Sequence, residues 1–139
     1  MRNNDIGAVL RHGYEVWAES KGGSTDHWYE IMAPEIEFHS MANGEGGLDF
    51  TAPQMRLEDV GACFAGLAAG WEMLHSIVDD IIVDGDRAVV LSRISWRNKA
   101  TGALLNSPKA DAWRFKDGLA VYFMEYYDTA AARRAAAGS

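Results

Sequence analysis

The chain has one cysteine, Cys63, three prolines, and only 13 lysines and arginines against 20 aspartates and glutamates. A single cysteine excludes an intramolecular disulfide and a cysteine-built zinc site. The four histidines, at 12, 27, 39 and 75, show no HxH or HExxH spacing, so no metal is expected. The phosphate-binding fingerprints GxGxxG, GxxxxGKS and GxxxxGKT are missing, so no cofactor is expected either. The basic residues are scattered, and the densest spot is the pair Arg133-Arg134. With a net charge of −7, this argues against a nucleic-acid partner, which needs a basic stripe to displace counterions. No run approaches the roughly 20 apolar residues of a membrane span. The opening residues carry helix-like polar spacing instead of the apolar stretch of a signal peptide. These absences lead to the expectation of a soluble cytoplasmic protein with no membrane partner.

What is present is apolar matter in a short chain. Hydrophobic residues make up 48% of 139 residues, enough for the core of one domain spanning 1–139. In 4–20, Ile6, Val9, Leu10, Gly13, Tyr14 and Trp17 fall on one helical stripe, with Asn4 and Asp5 as N-cap chemistry. A short helix over 25–32 follows, closed by Pro34. EIEFHS at 35–40 alternates as a strand, with Ile36, Phe38 and Ser40 on one face and Glu35, Glu37 and His39 on the other. Residues 41–55, rich in glycine, read as a long loop of the kind that often serves a site. A third helix spans 56–70. Strands follow at 73–83, 87–97, 104–115 (with a break expected near Pro108) and 119–127, separated by turns at Asp84-Gly85-Asp86, Asn98–Gly102 and Lys116-Asp117-Gly118. The end, 130–137, is a short Ala-rich helix or a frayed tail. Helices segregated from an antiparallel meander mean an α+β fold.

The run HSIVDDIIVDGDRAVVLSRISW, followed by KADAWRFKDGLAVYFMEYYD, resembles the SnoaL-like and ketosteroid-isomerase proteins of the NTF2-like superfamily. The resemblance extends in order and spacing over nearly the whole chain. It implies a cone in which three N-terminal helices pack on a strongly curved antiparallel sheet and enclose a pocket for a small molecule. It also implies a homodimer paired through the outer sheet face, where Glu35, Glu37 and Arg114 would lie among apolar residues. The fold hosts isomerases, cyclases, dehydratases, hydrolases and non-catalytic binders, so it does not name a reaction.

Asp111 is the sharpest candidate. Strand parity puts it on the face of Trp113 and Phe115, where burial would raise its pKa. The bland alternative is an Asp paired with Lys109 or Arg114, or simply exposed. The segment ADAWRF resembles the one that holds the family's oxyanion-hole aspartate, which implies a neutral acid donating a hydrogen bond. Tyr14, on the apolar stripe, stands where the resemblance puts an oxyanion-hole tyrosine, and is otherwise a packed core residue.

The isomerase base position falls on Ser40, where an acid is expected, and a serine alone cannot shuttle a carbon-bound proton. With Ser40, the adjacent His39 is a candidate substrate contact if a bulge turns it inward, and is otherwise a surface or interface histidine. His75 resembles the pocket histidine of the superfamily's dehydratases, and would give an acid–base set Tyr14, His75 and Asp111 for elimination of water. Its alternative is a strand histidine bonded to a neighbour. Glu72 and Glu125 are further possible pocket acids, and only one of Asp79 and Asp80 can face inward. Trp96, Trp113 and Phe123, with Tyr127, form either a pocket wall or core. Two functions stay open: a cofactor-free isomerase, cyclase or dehydratase, and a ligand-binding or assembly module without chemistry.

Overall fold

The computed structural model describes residues 3–138, with side chains from residue 5 onward. The N-cap expectation for Asn4 lies outside the described side chains. Helix α1 spans Asn3–Glu19 and α2 spans Asp26–Ile31. Strand β1, Met32–Ser40, is followed by a loop holding a 3-10 turn at Asp49–Thr51. Helix α3, Leu57–Gly70, leads into four strands: β2 Trp71–Asp84, β3 Arg87–Asn98, β4 Leu104–Lys116 and β5 Leu119–Tyr127. Helix α4, Thr129–Ala137, ends the described chain. The sheet order is β1-β5-β4-β3-β2.

The sheet is mixed. Strands β2 to β5 form the expected antiparallel meander, but β1 pairs with β5 in parallel. That corrects the expectation of a wholly antiparallel sheet. The physical reason is connectivity: β1 leaves through a loop and a helix, not a hairpin, so no tight turn dictates its direction. The β4–β5 hairpin is closed by Asp117 and Gly118, both at positive φ (52° and 87°), which suits a two-residue turn. Pro108 does not break β4. Pairing from β4 to β5 starts at Lys109 and Tyr127, so proline's missing N–H costs no bond on that side.

Of the two alternatives for the chain end, the helix is the one found. Asp128 caps α4 by accepting from the Ala131 N–H, and Ala132 and Ala135 are buried. Thr101 Oγ1 donates to the Ala135 carbonyl at 2.7 Å, tying α4 to the β3–β4 turn. The long loop is also fastened. Phe38 and Gln54 exchange backbone hydrogen bonds at 2.8 and 3.0 Å, and Leu48 and Thr51 are buried. Among the described residues, no helix is long and apolar enough to cross a membrane.

Two β-bulges shape β2. Its register against β3 slips between Met73 and His75, and again between Val78 and Asp80. Each bulge opposes two residues to one and reverses which side chains face in. The interior falls into two apolar clusters. One is built on Ile6, Leu10, Trp28, Ile36, Val90 and Trp113, the other on Leu48, Trp71, Trp96, Leu105 and Ala132. Helix α3 approaches the loop closely through Gly66, where an added Cβ would overlap Phe50 Cβ.

This closeness makes a test. Alanine is the better helix former by about 1 kcal/mol, yet Gly66→Ala should destabilise the protein by about 1–3 kcal/mol through overpacking. Urea unfolding measures it, and a stabilised variant would show that Phe50 does not pack against Gly66.

Candidate functional site

A deep pocket opens between the helices and the concave side of the sheet. All five strands and all four helices contribute to its lining. All five tryptophans of the chain, at 17, 28, 71, 96 and 113, line it, with Phe38, Phe50, Phe64 and Phe123. The space free of atoms, counted out to the open mouth, is about 1020 Å3. Wall and core are therefore the same residues: Trp96, Trp113 and Phe123 are both buried and pocket-lining.

The polar floor lies on β4 and β5. In KADAWRF, alternation sends Lys109, Asp111, Trp113 and Phe115 to one face. Asp111 is 1% exposed. Tyr14, from α1, places its hydroxyl 2.5 Å from Asp111 Oδ2. Trp113 Nε1 donates to that same hydroxyl at 3.0 Å. Lys109 Nζ donates to Asp111 Oδ2 at 3.2 Å and lies 3.1 Å from Oδ1. The Oδ1 contact lacks hydrogen-bond alignment, so Oδ1 is a buried acceptor without a donor. Lys109 Nζ also meets Glu125 Oε1 at 3.2 Å. The bland alternative of an Asp111–Lys109 pair and the pocket reading thus hold together: the pair is the pocket floor.

Burial pushes the Asp111 carboxyl above the usual carboxylate range; the Lys109 ammonium opposes this and the Glu125 charge adds to it. Burial alone would lower Lys109, but the two carboxylates outweigh it and hold the ammonium above its ordinary value. Burial, then the Asp111 charge, raises the Tyr14 phenol. Burial also raises the Cys63 thiol to about 11.

Ser40 is buried and lines the pocket, and its hydroxyl shares a hydrogen bond of 2.8 Å with the Tyr127 hydroxyl. In the parallel β1–β5 register, Ser40 stands directly beside Glu125. His39, the other candidate substrate contact on β1, is not brought into the pocket: it faces the other side, as strict alternation requires, because no bulge interrupts β1 there. It lies 3.4 Å from Glu37 and packs on Tyr122.

His75 is not in the pocket. It is exposed on the outer side of β2. Alternation from the buried Met73 would bring it inward, but the bulge at Leu74 turns it out. The elimination set Tyr14, His75 and Asp111 is therefore not assembled. Asp79 and Asp80 are both exposed around the second bulge, where Arg93 grips Asp79 at 2.9 Å. Glu72 is exposed and paired with Arg97. The residues given too little weight are Lys109 and Glu125. Their signal was parity: Lys109 shares the face of Asp111, and Glu125 that of Phe123.

The buried hydroxyls give the fold a predictable alkaline limit. Burial raises the Tyr127 phenol from 10.0 to about 12. A raised folded-state pKa contributes stability that is present below the unfolded value and lost as pH climbs through the folded one. Tyr14 and Lys109 shift the same way. The urea midpoint should therefore fall between pH 10.0 and about 12, and fall less in Tyr127→Phe. Equal slopes in the two proteins would show that Tyr127 is not buried as described.

Among curated proteins none matches this chain. Solved structures match over nearly its full length. One is an NTF2-like protein of unknown function from Burkholderia pseudomallei, 23% identical, covering 97% of this chain and 98% of its own, with a TM-score of 0.81. Another is a Jannaschia protein described as a SnoaL-like polyketide cyclase, 22% identical, covering 96% and 92%, with a TM-score of 0.75. A third, from Catenulispora acidiphila, has a ketosteroid isomerase-like fold and was solved in complex with trimethylamine; it is 15% identical, covers 83% and 84%, and has a TM-score of 0.66. At these identities the likeness speaks for the fold. The family model for the SnoaL-like domain matches residues 10–123, from the middle of α1 to the middle of β5, and the chain belongs to that family.

Proposed function

We propose that the protein is a cofactor-free acid–base enzyme of the isomerase or cyclase kind, acting on a small, largely apolar molecule in the pocket. The observation that carries this reading is Glu125. It is the pocket carboxylate with room to meet a ligand, at 22% exposure against 1% for Asp111. One of its oxygens is anchored by Lys109, which fixes its place. It stands beside Ser40, the position where the family resemblance expects a base. On this reading the base sits one strand over, on β5 instead of β1. Asp111 and Tyr14, bonded to one another, set the electrostatics of the floor and do not transfer the proton. The neighbours described as a polyketide cyclase and as a trimethylamine complex are in keeping with a small organic occupant.

The test uses 2-tetralone, an apolar ketone with acidic C–H bonds, in D2O. The protein should catalyse exchange of its α-protons, followed by NMR. Glu125→Gln should lower the rate by about 10²–10⁴-fold, the usual worth of a positioned base. Saturable binding of the ketone with no exchange would favour the alternative, a binding module of the same fold.

The homodimer belongs to the same proposal. The outer sheet face carries an uncovered apolar band in which Ile82, Val89, Ala112 and Met124 stand side by side across four strands. Leu91, Ala110 and Tyr126 form the adjacent row. The family's habit of pairing through this face supports a second copy as its cover. The double variant Leu91→Glu/Tyr126→Glu should then sediment as a monomer where the parent is a dimer. A parent protein that is itself monomeric would end this reading.

A further inference from the structure

The hydrogen-bond donors at the pocket floor can be accounted for one by one. The Trp113 indole N–H goes to the Tyr14 oxygen. With that oxygen already accepting, the Tyr14 proton goes to Asp111 Oδ2. Neither donor is left for a ligand. Lys109 is different. An ammonium carries three N–H donors, and its partners are the two carboxylates of Asp111 and Glu125. Lys109 is among the residues that line the pocket, and its side chain is 16% exposed. One N–H therefore remains uncommitted, beside the proposed base.

We infer that Lys109 is a further catalytic residue, whose free N–H donates to the carbonyl oxygen of the ligand whose C–H bond Glu125 would open. The kinetic part rests on the reading of Glu125 as the base. In the step, the C–H bond breaks and its proton moves to a Glu125 oxygen. The electron pair left on carbon forms the C=C bond of an enolate, and the C=O pair moves onto oxygen. Lys109 donates a hydrogen bond to that oxygen and keeps its proton. Return of the Glu125 proton to the same or a conjugated carbon completes exchange or isomerisation.

Charge explains why a lysine suits this place. Before the step the negative charge sits on Glu125, and after it on the enolate oxygen. The floor as a whole gains no charge. The ammonium touches Glu125 at 3.2 Å and would touch the new oxyanion on another of its donors. It thus has an anion beside it throughout, in a buried site where an unpaired ion is costly. Asp111 holds the ammonium at this spot from below. The rival donor is the Ser40–Tyr127 pair, which keeps one hydroxyl proton beyond its mutual bond.

The probe is 2-naphthol, an aromatic analogue of an enol, whose protonation state is read by absorption. The titration is done in Glu125→Gln, where no neighbouring base competes for the dye proton. The comparison protein is Lys109→Met/Asp111→Asn/Glu125→Gln, in which no lone buried ion is left to unfold the chain. Circular dichroism checks that both are folded. The bound dye should ionise about 1–3 pH units lower with Lys109 present, as expected for an opposite charge at contact distance. Equal titration in the two proteins would overturn the inference. Loss of the shift in Ser40→Ala or Tyr127→Phe, each made on the Glu125→Gln background, would overturn it too and pass the donor role to that pair. The dye needs no proton abstraction from carbon. An intact shift without tetralone exchange would sink the enzyme reading alone; exchange without a shift would sink Lys109 alone. In the parent protein, Lys109→Met should slow tetralone exchange by about 10²–10³-fold, as when an oxyanion donor is removed.

Discussion

The structure turns on one largely buried ammonium. Lys109 sits between Asp111 and Glu125 with contacts of 3.1 to 3.2 Å. Drawing three ionisable groups largely out of water is costly, and each is tolerable only because the others are there. The cluster also does mechanical service. Asp111 holds Tyr14, and Trp113 holds the same hydroxyl, so two bonds tie α1 to β4 across nearly a hundred residues of sequence. Removing one partner from such a buried pair typically costs about 3–5 kcal/mol, because the other charge is left stranded. Position and electrostatics are thus one problem in this fold. The bonds that seat the first helix over the sheet are the same bonds that charge the pocket floor.

Around that floor the wall is aromatic. Trp28 stacks on Trp113 with ring centres 5.7 Å apart, and Trp113 meets Phe123 edge-on at 4.7 Å. Trp17 touches Trp28, Trp96 and Phe64. Rings bury large areas with few rotatable bonds, so a pocket lined by them stays open at little entropic cost. A polar floor beneath such walls works in a low-dielectric setting, where each hydrogen bond and charge counts for more than it would in water. The outer half of the wall depends on the loop over 41–55, which sends Leu48 and Phe50 into the pocket and rests on Gly66.

Sequence periodicity carried the fold a long way. Element order, the β4 face bearing Asp111 and Trp113, and the outward turn of His39 all follow from alternation in regular strands. Alternation fails wherever a strand is irregular. The bulge at Leu74 has no signature in MLHS that distinguishes it from an even strand, and so His75 could not be placed. The parallel run of β1 beside β5 was equally hidden, because it depends on where a strand docks and not on its own residues. Lys109 shows another kind of blindness. A lysine two residues before an aspartate reads as a solvated charge, since lysine is rarely buried. Only the convergence of Glu125 from the next strand makes its burial affordable, and that convergence is tertiary.

The proposed exchange of Ser40 for Glu125 as the seat of the base has a geometric consequence. Neighbouring strands lie about 4.8 Å apart, and the two residues are direct neighbours in the β1–β5 register. Moving a carboxylate across one strand displaces it by little more than the width of a six-membered ring. Glu125 also reaches further than an aspartate on the original strand would. A ligand held by its oxygen at Lys109 would therefore offer a different carbon to the base than one held at Tyr14 and attacked from β1. The change need not alter the kind of chemistry, which is still proton transfer beside a polarised carbonyl. It alters which C–H bond lies within reach, and with it the carbon skeleton the pocket can turn over. On this view the serine on β1 and the lysine–glutamate pair on β4 and β5 are one adaptation: the oxygen-binding group and the base have moved together along the sheet.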